Sequence, residues 1–130
     1  MTVKKKPVTT ANMRRLAEQL IDYFAEIECW YDMGIYVDNE RWSSSPRDSA
    51  CEQKTTAKGT VYYVEKDIDI ASSMEYSNPK TVSMFFEGPL YSKINYEDYD
   101  FLYKLDEKFL APYGLYFEQG HAWNAAAFPV

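Results

Sequence analysis

Few side chains in this sequence could carry acid–base or soft-metal chemistry. His121 is the single histidine among 130 residues, and histidine is the side chain that most readily serves as a base or ligand near neutral pH. Glu118, three residues earlier, could share a metal with it. No second histidine can complete a site for zinc, copper, iron or nickel, the metals that imidazole ligands suit. We therefore interpret His121 as a structural or surface residue.

Two aspartates are the candidates for a hard cation. Asp67 and Asp69 alternate with apolar residues, and on a strand this spacing places both carboxylates on one face, about 6.6–7 Å apart. There they could converge on Mg²⁺, which prefers oxygen ligands. The alternative, which we favour, is the solvent-exposed face of a strand. No cofactor is predicted.

Candidate nucleophiles lack the partners that would activate them. The serines at 43–45 and Cys51 carry no recognisable nucleophile motif. The five glycines are dispersed, so no phosphate-binding loop is present. Cys29 and Cys51 have no zinc-site spacing, and we expect free thiols in a reducing compartment. The sequence favours a binding protein over an enzyme.

The composition is rich in groups that make protein contacts. The chain has 12 tyrosines, seven phenylalanines and three tryptophans beside 20 carboxylates, with a net charge of −6. Tyrosine is enriched at interfaces because it combines a large ring with a polar tip. An acidic body repels nucleic acid and attracts basic surfaces. We therefore expect a basic protein partner and no direct binding of nucleic acid.

The length predicts one domain, and periodicity predicts its elements. A helix begins near Asn12, and a second spans 96–110. Strands are predicted at 35–38, 60–70, 81–87 and 115–118. The order α-β-β-β-α-β predicts an α+β domain at 10–130, with a mainly antiparallel four-stranded sheet and both helices on one face. Residues 1–9 are expected to be a disordered basic tail, and 43–59 a long polar loop.

No segment is apolar over the length that a membrane helix needs, and no apolar stretch follows the basic N-terminus. We therefore expect a cytoplasmic protein that does not bind membranes.

Charges on the first predicted helix oppose its dipole. Arg14 and Arg15 lie at the positive end, and Glu18, Asp22 and Glu26 are spaced i, i+4 on the predicted solvent face. Like charges at this spacing destabilise a helix by about 0.2–0.5 kcal/mol per pair. The functional interpretation is an acidic face kept for a basic partner. The alternative is a solvated face whose small penalties are outweighed by packing of the apolar stripe.

A second acidic patch starts the second predicted helix. Glu97, Asp98, Tyr99 and Asp100 lie within a tyrosine-rich segment, residues 91–103. Carboxylates spaced over a surface can imitate a phosphate backbone and occupy the groove of a nucleic-acid-binding protein. The alternative is a capped helix start, where acids interact favourably with the dipole, together with ordinary half-buried tyrosines.

The C-terminal half carries a resemblance. Residues 81–91 read TVSMFFEGPLY and residues 113–123 read YGLYFEQGHAW. The pair is similar to small uncharacterised proteins carried on bacterial plasmids, phages and integrative elements. The resemblance implies a mobile-element context, where small acidic proteins that block host nucleases are plentiful. It implies no catalytic residue.

Three hypotheses follow. The first is a non-enzymatic protein that docks an acidic, tyrosine-rich surface on a basic, nucleic-acid-binding protein, as an inhibitor of anti-restriction or anti-CRISPR type. The second is a small ligand-binding or metal-dependent enzyme, with a pocket between sheet and helices. Its lining would be Tyr62, Tyr63, Phe85, Tyr116, Asp67 and Asp69. The third is a homodimer built on an exposed aromatic sheet face.

Overall fold

The computed structural model describes residues 5–47 and 51–130, and it has the mixed α+β architecture that the sequence predicts. The helices are α1 (Thr10–Glu26), α2 (Ile70–Ser73), α3 (Pro89–Ser92) and α4 (Phe101–Leu105). The strands are β1 (Met33–Val37), β2 (Glu40–Ser43), β3 (Glu52–Thr55), β4 (Val61–Glu65), β5 (Ser83–Phe86), β6 (Leu115–Gln119) and β7 (Asn124–Pro129). No helix among the described residues has the length and apolarity to cross a membrane.

The strands form one antiparallel sheet in the order β3-β4-β2-β1-β5-β7-β6. The predicted four-stranded sheet and the element order are therefore wrong, because β2, β3 and β7 were not predicted. The predicted polar loop at 43–59 includes the last residue of β2 and all of β3. Strand β3 is an edge strand with polar side chains, and β7 contains a run of alanines, so neither shows the alternation that marks a half-buried strand.

Two of the predicted elements end early or break. The strand predicted at 60–70 stops at Glu65, and α2 begins at Ile70. Asp69 is the N-cap of α2, where its carboxylate accepts hydrogen bonds from the Ser72 backbone N–H (3.4 Å) and hydroxyl (2.9 Å). Asp67 has a left-handed backbone with φ of 57°. The prediction that Asp67 and Asp69 share one face of a strand is therefore wrong.

The second predicted helix, 96–110, is also interrupted. A π-helical turn (Lys93–Glu97) continues α3, an irregular step at 98–100 follows, and α4 then runs into a second π-helical turn (Asp106–Leu110). Ile94, Phe101 and Leu105 are buried along this path. Burial of these anchors, spaced seven and four residues apart, holds the segment against the sheet despite the break.

The main core lies between the sheet and α1, α3 and α4. Helix α1 buries a single apolar stripe, as predicted, and Thr9 caps it by accepting a hydrogen bond from the Asn12 N–H at 3.1 Å. Trp42 on β2 is fully buried beneath this helix. On the opposite sheet face, a smaller cluster forms where α2 packs Ile70 and Met74 over Tyr36. The fold therefore covers the middle of the sheet on both faces.

The N-terminal segment lies against the residues that come after the second π-helical turn. The Lys6 N–H donates to the Pro112 carbonyl at 2.8 Å, and the Pro7 carbonyl accepts from the Asn12 side chain at 2.8 Å. Residues 1–4 of the predicted disordered tail lie outside the described residues, and disorder of residues 1–9 stays a prediction.

Candidate functional site

The acids of α1 are partly used inside the protein. Tyr62 on β4 donates a hydrogen bond to the Glu18 carboxylate at 3.0 Å. Burial is the main cause that raises the pKa of Tyr62, and the hydrogen bond to Glu18 is the second. Thr56 and Thr60, which flank the β3–β4 turn, donate to one Asp22 oxygen at 2.6 and 2.8 Å. The predicted solvent face is therefore wrong for Glu18 and Asp22, which are half-buried and fasten the β3–β4 hairpin to α1.

Arg14 also has a structural role that its position on the helix dipole does not suggest. Its guanidinium makes ion pairs with Asp38 (3.0 Å) and Glu40 (2.8 Å), and it lies 5.0 Å from the centre of the Trp42 ring. The Trp42 indole N–H donates to the same Glu40 carboxylate at 2.9 Å. Burial raises the pKa of Glu40, but the hydrogen bonds from Trp42 and Arg14 outweigh it and leave the pKa below its ordinary value. Of the three predicted α1 acids, Glu26 alone is exposed.

The second predicted patch is displayed on the surface. We call residues 96–103 the acidic tyrosine turn. Its three phenol rings are largely exposed, with exposed fractions of 67% for Tyr96, 81% for Tyr99 and 64% for Tyr103. The Glu97 and Asp100 side chains are exposed between them, and neither carboxylate accepts a hydrogen bond from another described residue. Exposed rings and free carboxylates thus alternate along one short segment of the chain.

Asp98 positions this turn. Its N–H donates to the Lys93 carbonyl at 2.8 Å and ends the first π-helical turn. Its carboxylate accepts from the Asp100 N–H at 3.1 Å and from the Lys104 ammonium at 2.8 Å, and the bond to Lys104 lowers the pKa of Asp98. Asp98 is therefore engaged within the chain, whereas its neighbours Glu97 and Asp100 are free to meet a partner. Short π-helical segments are frequent at functional sites.

Further aromatic residues lie beside the turn. The Tyr91 and Tyr96 rings are 6.1 Å apart, and His121 stacks on Trp123 at 5.4 Å with nearly parallel planes. Asn95 joins the two groups, since its side-chain amide donates to the Ala122 carbonyl at 2.8 Å. The sequence analysis did not assign Trp123 to this surface, because only the pairing of β5 with β7 brings the β6–β7 turn next to Asn95.

The features predicted for an enzyme are not brought together. Tyr62 faces α1, whereas Tyr63, Phe85 and Tyr116 have the opposite strand parity and lie on the other sheet face. The predicted pocket between sheet and helices is therefore wrong, since its lining residues point to both sides of the sheet. Within residues 5–47 and 51–130, no group of three or more His, Cys, Asp or Glu side chains could hold a metal ion.

No protein-family model, curated protein or solved structure matches this chain. The likeness of residues 81–91 and 113–123 to mobile-element proteins stays a prediction.

Proposed function

We propose that the chain is a non-enzymatic interaction protein that docks its acidic tyrosine turn on a basic protein. The observation that carries the proposal is the exposure of three tyrosine rings around the free carboxylates of Glu97 and Asp100. Isolated exposed apolar groups are ordinary on protein surfaces, whereas a contiguous patch with a polar rim is typical of an interaction site.

The two kinds of side chain make different contributions to docking. Buried tyrosines rank among the residues that contribute most to binding energy, and each hot spot contributes about 2 kcal/mol or more. Carboxylates chiefly steer the encounter and select a partner of opposite charge. Screening acts over about 8–10 Å at physiological salt. We therefore expect an affinity that depends on the rings and an association rate that falls as salt rises.

The partner that suits this surface is a basic protein whose own ligand is nucleic acid. The Glu97 and Asp100 carboxylates can meet lysines and arginines that otherwise contact phosphates. Inhibition of host defence by a mobile-element protein, of anti-restriction or anti-CRISPR type, is the most specific form of this proposal. It rests on the resemblance of the C-terminal half together with the net charge of −6. The proposed setting is the cytoplasm.

Charge reversal of the turn tests the proposal. In affinity capture from a bacterial lysate, the Glu97→Lys/Asp100→Lys double variant should capture about one tenth, or less, of the basic partners that the wild type captures. The matched control is Glu75→Lys/Glu87→Lys, which reverses two exposed acids elsewhere and changes the net charge from −6 to −2 in the same way. The control should retain partners within about twofold of the wild type at the same salt.

The opposite pattern would count against docking through the turn. If both double variants lose partners equally, the interaction depends on net charge alone. If the captured proteins are not basic and stay bound when salt is raised from about 0.1 to 0.5 M, the carboxylates of the turn do not select the partner. Light scattering on the unbound protein tests the homodimer hypothesis, which places the contact on an aromatic sheet face. A dimer that Tyr99→Ala dissociates would instead assign the acidic tyrosine turn to self-association.

A further inference from the structure

A groove beside α1 is lined by lysines, in contrast to the carboxylates of the acidic tyrosine turn. It has a volume of about 520 Å³, and α1, the β3–β4 turn and the segment after α4 surround it. Three lysines from distant parts of the chain line it, namely Lys6, Lys58 and Lys108. In a protein with 20 acidic and 14 basic side chains, a convergence of three lysines is not expected from composition alone.

Two of these ammonium groups are held by aromatic rings. Lys108 Nζ lies 4.6 Å from the centre of the Tyr23 ring, and Lys6 Nζ lies 5.7 Å from the centre of the Tyr113 ring. In the described part of the chain, none of the three groove lysines makes an ion pair. A cation–π contact favours one position of an ammonium and leaves the N–H donors that point away from the ring available. The groove therefore presents several charged donors without an acceptor.

Acids on the groove wall offset this charge only in part. Asp22 lines the groove, but one of its oxygens already accepts two hydrogen bonds from threonines. Glu26 is the other acid and is exposed at the wall. Three ammonium groups against two carboxylates leave the groove net positive in a chain whose net charge is −6.

We propose that this groove binds the phosphate group of a small molecule, through Lys6, Lys58 and Lys108. A phosphate offers several oxygen acceptors to ammonium donors from different directions, and lysine is a common phosphate ligand that acts as a point charge. The volume suits a ligand of metabolite size. The site is separate from the acidic tyrosine turn and does not depend on the docking proposal.

Calorimetric titrations test the site with defined probes: glucose 6-phosphate, inorganic phosphate and glucose. Glucose 6-phosphate should bind saturably and glucose should not. Tighter binding of the ester than of inorganic phosphate assigns a phosphate ester as ligand, and equal binding assigns free phosphate. Absence of saturable binding by either phosphate up to about 10 mM at low salt overturns the proposal, since weaker affinity would lie outside the usual metabolite range.

Variants show whether the groove itself binds. Lys108→Met and Lys6→Met keep the aliphatic arm over its ring, and each should weaken binding about fivefold or more because a charged donor is lost. The matched control is Lys93→Met, since the Lys93 ammonium also lies over a ring, Phe101 at 5.5 Å, but outside the groove. It should stay within about twofold of the wild type.

Glu26→Gln provides a test of opposite sign. Removing this negative charge from the wall should tighten phosphate binding about twofold or more. If Lys93→Met weakens binding as much as Lys108→Met, or if Glu26→Gln weakens it, the anion is held by diffuse charge and the groove is not its site. Thermal melting of each variant verifies that the fold is retained. None of these outcomes depends on partner capture, so the two proposals fail separately.

Discussion

Replacement of Trp42 with alanine is expected to destabilise the protein by about 3–5 kcal/mol, the usual effect of truncating a large buried aromatic residue. Trp42 is fully buried, and its ring centre is 4.9 Å from that of Tyr62. It also joins α1 to the sheet, because Arg14 lies over the indole and Glu40 accepts its N–H. The alanine variant therefore leaves a cavity and removes one donor from the Arg14–Glu40 pair. Urea denaturation measures the effect as a lower midpoint at an unchanged slope.

Two further tryptophan variants provide comparisons. Trp42→Phe keeps an aromatic ring but loses the N–H donor to Glu40 and part of the indole volume, so we expect a loss of about 1–3 kcal/mol, smaller than that of the alanine variant. Trp123→Ala, at a tryptophan that is 38% exposed, should change stability by less than about 1 kcal/mol. A Trp42→Ala protein that unfolds at the wild-type midpoint would show that β2 does not anchor α1.

The parts of the fold that follow a local period could be predicted from sequence. Helix α1 has one apolar stripe, and the structure buries Met13, Leu16 and Leu20 on it. Strand β5 alternates, and the structure buries Met84 and Phe86. In both elements the burial of these apolar side chains follows from their own positions in a repeat.

The parts that depend on distant partners could not be predicted. Strand β7 forms because it pairs with β5 and β6, and this pairing places Ala125 and Ala127 in the core. The alanines themselves do not indicate a strand, since alanine is depleted in strands. Strand β3 exists because it pairs with β4. Asp69 satisfied the alternation of a strand, but its carboxylate caps a short helix instead. Side-chain hydrogen bonds of this kind compete with strand formation.

The candidate site shows the same division. The exposure of Asp100 agrees with the acidity of its own segment. The exposure of the Tyr99 ring does not follow from the sequence, which is equally compatible with a half-buried tyrosine. The free or engaged state of an acid could not be predicted, since it depends on residues far away in sequence. Asp22 meets a threonine 34 residues away, and Glu18 meets Tyr62 at a separation of 44. An acidic helix face is therefore a poor guide to a docking surface until its partners within the chain are known.

Asp22→Ala is expected to destabilise the protein by about 2–3 kcal/mol, since hydrogen bonds to a charged group contribute about 1.5–3 kcal/mol. One Asp22 oxygen accepts from both Thr56 and Thr60. Thr56 is buried, and its hydroxyl oxygen also accepts from the Thr60 N–H at 3.1 Å. Without Asp22 the Thr56 hydroxyl has no acceptor, and the β3–β4 hairpin loses its attachment to α1. Urea denaturation of Asp22→Ala, Thr60→Val and the double variant should give a coupling energy of about 1 kcal/mol or more.

Glu26→Ala is the matched comparison, because Glu26 lies one helical turn later, is exposed and carries the same charge. It should change stability by no more than about 0.5 kcal/mol. Loss of stability in Asp22→Ala alone, with partner capture retained by the folded fraction, assigns Asp22 to the attachment of the hairpin. If Asp22→Ala unfolds at the wild-type midpoint while both variants reduce capture equally, the acidic face of α1 is the docking surface. In that case the acidic tyrosine turn would not be the only surface that meets the partner.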